Sequence, residues 1–141
     1  MDVLKIPFNS LIGLTRVDNE KDYIFKLTEK REYQNHLGSV HASALFALAE
    51  ATSGEYLKRL LGETKLNIIP VVRRVELKYN RAAYGEIFSK ATLLASTKDD
   101  IINELQIRKR TTLKIFVELC TNNNAKVFSS VFEWYLNIIT Q

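Results

Sequence analysis

Cysteine is nearly missing from this chain. Cys120 stands alone among 141 residues, so no disulfide can form within the chain. Its place in an alternating pattern reads as a buried thiol, not a nucleophile. Long apolar runs are missing too: none approaches the roughly 20 residues a helix needs to cross a bilayer. The opening Met-Asp-Val-Leu-Lys-Ile-Pro-Phe has neither the basic lead nor the apolar core of an export signal. These absences predict a soluble, cytoplasmic protein with no membrane partner. An excess of one charge is also lacking. The net charge of +4 is too small and scattered to predict nucleic-acid binding, although it suits a ligand carrying phosphates. Repeats, low-complexity stretches and interior linkers are absent as well. What remains, 46% apolar and 26% charged residues, is the make-up of an ordinary globular domain, expected as one unit over residues 1–141.

The stretch from Asn35 to Gly54 organises the rest. It starts as a polar turn, with Asn35, His36 and Gly38, and from Val40 becomes an unbroken run of good helix formers reaching Leu61. A helix over Val40–Leu61 would be roughly 33 Å long. Its first half is apolar on every side, which predicts a helix enclosed by protein. Inside that half sits one carboxylate, Glu50, a costly placement unless the charge is paired or does chemistry. Ser39 is the expected N-cap, leaving the N–H groups of His41 and Ala42 in the unsatisfied first turn, where they could hold a polarised carbonyl oxygen. Ser43, Ala47, Glu50 and Gly54 recur at helical spacing and share a face of small residues around the acid.

Before this helix, the pattern predicts a short helix or arm over Ile6–Leu14. A hairpin over Thr15–Thr28 turns near Asp18-Asn19-Glu20, and a charged, solvated loop covers Glu29–Glu32. After it comes a strand with Val71, Val75, Leu77 and Tyr79 on one face and Arg74, Glu76 and Lys78 on the other, its phase interrupted at Arg73. Strands are expected over Glu86–Ser96, Thr111–Cys120 and Lys126–Ile138, the last two joined by Thr121-Asn122-Asn123-Asn124-Ala125. Thr97–Arg110 reads as a surface helix with Ile101, Ile102 and Leu105 turned inward. Strands joined by short turns make an antiparallel sheet whose apolar face needs covering, and only the long helix is large enough to cover it. The fold class is therefore α+β, a sheet wrapped around one helix.

At Asn35, His41-Ala42-Ser43 and Glu50 the chain resembles the hotdog-fold thioesterases, in particular the phenylacetate-pathway type and its uncharacterised relatives. A second matching segment runs from Val75 to Glu86, Val-Glu-Leu-Lys-Tyr-Asn-Arg-Ala-Ala-Tyr-Gly-Glu, and the closing Phe132-Glu133-Trp134 is also in keeping. The likeness spans nearly the whole chain from about Leu11. It departs at the helix opening, where the paired glycines of that group are Ala42 and Ser43, so backbone approach to a ligand would be tighter. The resemblance implies a hotdog fold, an acyl-coenzyme A thioester as substrate, no cofactor and no metal. It also implies a homodimer or dimer of dimers in which two chains build each site.

On that basis Glu50 is the candidate general base, with a pKa raised by apolar surroundings, or alternatively a nucleophile that forms a mixed anhydride. Its bland alternative is a buried hydrogen bond or ion pair at a subunit interface. The Ala42 N–H is the candidate oxyanion donor, and Asn35 would orient water or carbonyl, unless it only builds the turn beside Gly38. His41 is expected to brace the loop, and Ser43 to line the pocket. Arg73 and Arg74 would reach a neighbouring subunit's site. Arg81, Arg108, Lys109 and Arg110 are candidates for coenzyme A phosphates, each otherwise a solvated surface charge. Two other functions stay open. One is a non-catalytic acyl-coenzyme A-binding module. The other is a 3-hydroxyacyl thioester dehydratase pairing His36 with Glu50, although the proline-rich approach to the helix usual in that group is lacking.

Overall fold

The computed structural model describes residues 1–18 and 22–139. Six strands form one antiparallel sheet: β1 (Thr15–Arg16), β2 (Phe25–Leu27), β3 (Ile68–Tyr79), β4 (Ile87–Leu94), β5 (Arg110–Thr121) and β6 (Lys126–Ile138). Their spatial order is β1-β2-β4-β5-β6-β3, so β3 is an edge. Three helices accompany them: α1 (Pro7–Ile12), α2 (Ala42–Leu61) and α3 (Lys98–Arg108). The element order agrees with the pattern in the sequence. The first hairpin forms, but Asn19 and Glu20 of its expected turn lie outside the described residues.

The sheet curls around α2 because alternate residues of β4, β5 and β6 present a largely apolar face, broken at the buried Ser89 and Ser130. Ile87, Ile115, Val117, Leu119, Phe128 and Phe132 are all fully buried. Leu48 and Ala49 of α2 meet them, also fully buried, each large side chain stabilising the contact by about 1.5–3 kcal/mol. A chain of hydroxyls pins the helix to the sheet. Thr52 Oγ1 lies 2.7 Å from the Leu48 carbonyl and 2.6 Å from Ser89 Oγ on β4, which also bonds the backbone of Phe25 on β2. α3 folds as expected, with Ile101 and Leu105 buried and Thr97 capping its N-terminus through the Asp100 N–H.

Four expectations need correction. Helix α2 begins at Ala42, two residues late, and its cap is His41, whose Nδ1 accepts from the Ser43 N–H at 3.0 Å. Ser39 is instead buried in the preceding turn, drawn there by Asn35. On β3, the extra residue Arg73 forms a bulge between Val72 and Arg74 and reverses the alternation. Pro70 and Val72 therefore share the inner face with Val75, Leu77 and Tyr79, opposite Leu136, Trp134, Phe132, Ser130 and Phe128, while Val71 turns outward. The Glu29–Glu32 segment is not wholly solvated, because Arg31–Tyr33 forms a 3-10 turn that buries Tyr33. Cys120 is only half-buried, its Sγ 3.5 Å from the Tyr23 hydroxyl.

Candidate functional site

Glu50 lies on α2 where the helix leaves the sheet's deepest cover. Its side chain is half-buried and borders a groove of about 660 Å³, within the range of ordinary ligand pockets. Burial pushes the carboxyl above its ordinary pKa. Among the described residues, no hydrogen bond or ion pair holds the carboxylate. A carboxyl that is desolvated, without a partner among the described residues and beside an apolar groove has the surroundings of a general base.

The polar turn before α2 is tightly built. Asn35 Oδ1 accepts from the N–H groups of Leu37 at 2.9 Å and Ser39 at 3.2 Å, and its Nδ2 lies 2.9 Å from Ser39 Oγ. The amide is thus engaged in the turn within its own chain. The His41 N–H donates to the Tyr33 carbonyl at 2.6 Å, so it is not free as expected. The Ala42 N–H, exposed at the first helical position, has no partner among the described residues. Tyr79, at the end of β3, donates from its hydroxyl to the Ala42 carbonyl at 3.2 Å and braces this mouth. Sequence reading did not single Tyr79 out for the site; its place on the inner face of β3 was the available signal. Glu50 lies eight positions after Ala42, about 12 Å along the helix axis. One chain therefore does not bring these two groups to the same carbonyl.

The remaining candidates lie elsewhere. Ser43 and His36 are exposed and do not border the groove. Arg73 stacks over the Tyr135 ring at 5.4 Å, Arg74 pairs with Glu76 at 2.9 Å, and Arg81 is exposed. None of the three lines the groove. Arg108 and Arg110 border a separate shallow basin of about 730 Å³ that also includes Tyr135.

A second carboxylate escaped the sequence reading altogether. Glu55 is 3% exposed and pairs with Arg16 at 2.9 Å, Arg59 at 3.1 Å and Lys58 at 3.6 Å. Burial raises its pKa, but the Arg16 hydrogen bond and charge, with Arg59 and Lys58, outweigh that and leave it below the ordinary value. Arg16 also bonds Asp2 at 3.0 Å, fastening the N-terminal segment beside α2.

A six-stranded antiparallel sheet with one long helix in its hollow is the hotdog fold, and the solved structures that share it include members of the thioesterase superfamily. The chain belongs to the family described as a domain of unknown function (DUF4442), whose model matches residues 4–136. Among solved structures it is similar to a probable thioesterase of unknown function from Pseudomonas aeruginosa, with 25% identity and a TM-score of 0.78, over 97% of this chain and 91% of that one. The PaaI protein of the Escherichia coli phenylacetic acid degradation operon superposes with a TM-score of 0.70 at 12% identity, over 96% and 86%. A hypothetical thioesterase from Streptococcus pneumoniae, solved with coenzyme A, gives 0.66 at 14% identity, over 92% and 89%. No curated protein matches the chain. The resemblance read from Asn35, His41 and Glu50 thus holds for fold and superfamily. Among the described residues no helix is long and apolar enough to cross a membrane.

Proposed function

We propose that the protein hydrolyses an acyl-coenzyme A thioester, with Glu50 as general base. The observation that carries this reading is the Glu50 carboxylate itself, half-buried, unpaired and raised in pKa on the wall of the groove. Glu50 takes a proton from water as the water oxygen bonds to the acyl carbon. The negative charge on the carbonyl oxygen falls to the Ala42 N–H at the start of α2, where the helix dipole favours it. Collapse then breaks the carbon–sulfur bond, and the proton passes to the leaving sulfur, giving a carboxylic acid and free coenzyme A.

Because Ala42 and Glu50 of one chain stand too far apart, the site is completed across two copies, Glu50 of one facing the Asn35–Ala42 turn of the other. The edge strand β3 supports this pairing. Its twelve residues have a free side, and it exposes Ile69, Val71, Leu77 and Tyr79. In that assembly Asn35 and His41 shape the mouth, Ser43 faces the incoming ester, and Arg73, Arg74 and Arg81 lie within reach of the neighbour. The basin at Arg108 and Arg110 offers charge for coenzyme A phosphates.

The test is thiol release from acyl-coenzyme A esters. Glu50→Gln is expected to lose turnover by at least about a hundredfold, as for a general base, while circular dichroism stays native. Full activity in the folded variant would remove Glu50 from the mechanism. Ester binding without thiol release by the unmodified protein would mark a binding module instead.

A further inference from the structure

The groove at Glu50 is longer than a thioester needs. Ala51, Gly54, Leu57, Leu61 and Gly62 form its helix wall, so it follows α2 for about 18 Å beyond Glu50 at the usual helical rise. Opposite it the lining includes Val3 and Ile6 of the N-terminal segment, Val71 and Val72 of the edge strand β3, and Trp134 of β6. Lys58, exposed, belongs to the rim, and the buried Asn9 spends its amide on the Val3 carbonyl at 3.0 Å. The interior therefore offers a ligand contact area but few polar partners. Arg16, bonded to both Asp2 and Glu55, keeps the N-terminal wall in place.

Gly54 is out of place by local criteria. Glycine is the least favourable residue for a helix interior after proline, and Gly54 does not adopt a positive φ. A Cβ there would meet only Trp134, at an ordinary 3.8 Å. The backbone does not require glycine, and neighbouring atoms do not exclude a side chain. What the missing side chain leaves is room in the groove, about a third of the way along it from Glu50 and facing the indole.

We infer that the groove takes the acyl part of the substrate as an unbranched saturated chain laid along α2 away from Glu50, with Gly54 leaving it room to pass Trp134 and the groove's end at Gly62 setting the length accepted. This rests on the hydrolase reading for placing the carbonyl at Glu50. An extended chain advances about 1.3 Å per carbon for bonds of about 1.5 Å, so about 18 Å of groove accommodates about 14 carbons. Lauroyl fits and palmitoyl overruns. A compact aromatic acyl group fills only the part beside Glu50.

The experiment compares acetyl-, octanoyl-, lauroyl-, palmitoyl- and phenylacetyl-coenzyme A. The expected kcat/KM rises about twofold to fourfold per methylene as far as lauroyl and then levels, with phenylacetyl below octanoyl. Gly54→Leu lowers the lauroyl-to-acetyl ratio at least tenfold. Should that variant fail to fold, Gly54→Ala shifts the ratio the same way by a smaller factor. Trp134 is the only tryptophan in the chain, so its fluorescence reads occupancy without turnover. Laurate shifts the emission, acetate does not, and Gly54→Leu abolishes the response. A flat chain-length series, an emission blind to laurate, or a lauroyl preference that survives Gly54→Leu overturns the inference. Loss of turnover on every ester, with the laurate response intact, would retire the hydrolase reading and leave the groove's occupant standing.

Discussion

Glu50 and Glu55 lie five residues apart on the same helix, and their surroundings send their carboxyls in opposite directions. Burial without a partner favours the neutral acid at Glu50. A base must be ionised, so hydrolysis should increase with pH through a midpoint above the ordinary carboxylate range. A pH–rate profile of kcat/KM checks this; a midpoint at the ordinary value would contradict it. The same raised pKa costs stability as pH rises through it, so Glu50→Gln should unfold in urea no earlier than the parent at neutral pH. Glu55 works the other way. Its depressed pKa contributes stability above the unfolded value, lost as pH falls through the folded one. Arg16→Ala should lower neutral-pH stability by about 1–2 kcal/mol, kept modest by the 41% exposure of Arg16. It should also flatten the acid side of the stability profile; urea melts across the acid range decide it. Glu50 was legible in the sequence because a lone charge interrupts an apolar run. Glu55 was not, because Ser-Gly-Glu-Tyr-Leu-Lys-Arg resembles the solvated half of a helix. What buries it is a segment whose Arg16 lies 39 residues earlier in the chain.

Helix α2 shows the same limit at the next scale. Its existence and its end at Leu61 follow from composition, but its start depends on which polar side chain finishes the turn. Ser39 and His41 are both chemically able to cap. Asn35 takes Ser39 into its own turn, a contact that propensity does not encode. On β3, Arg73 was visible as an interruption, yet only pairing with β6 decides that Val72 turns inward and Val71 outward. Within α2, replacing Gly54 by alanine should raise stability by up to about 1 kcal/mol, since the added carbon meets only the Trp134 ring at ordinary contact distance. A thermal or urea melt reads this directly, and destabilisation would mean that the helix needs the glycine for packing.

Across the molecule, sheet and helix assemble as the alternation of apolar residues requires, while the candidate site does not close within one chain. Alternation fixes which faces are apolar; it carries no information about a neighbour's turn. Sedimentation at micromolar protein should therefore find a dimer or a dimer of dimers. A monomer with full turnover would require another oxyanion donor near Glu50 and would end the shared-site reading. The free side of β3 has one more consequence. Because Arg73 kinks it, an arbitrary extended peptide can pair with Ile68–Val72 or with the run from Arg74 onward, but not continuously with both. Only a strand bent to match can zip along the full length, so the bulge works as a lock against indiscriminate fibre growth while leaving the edge open to a correctly shaped twin.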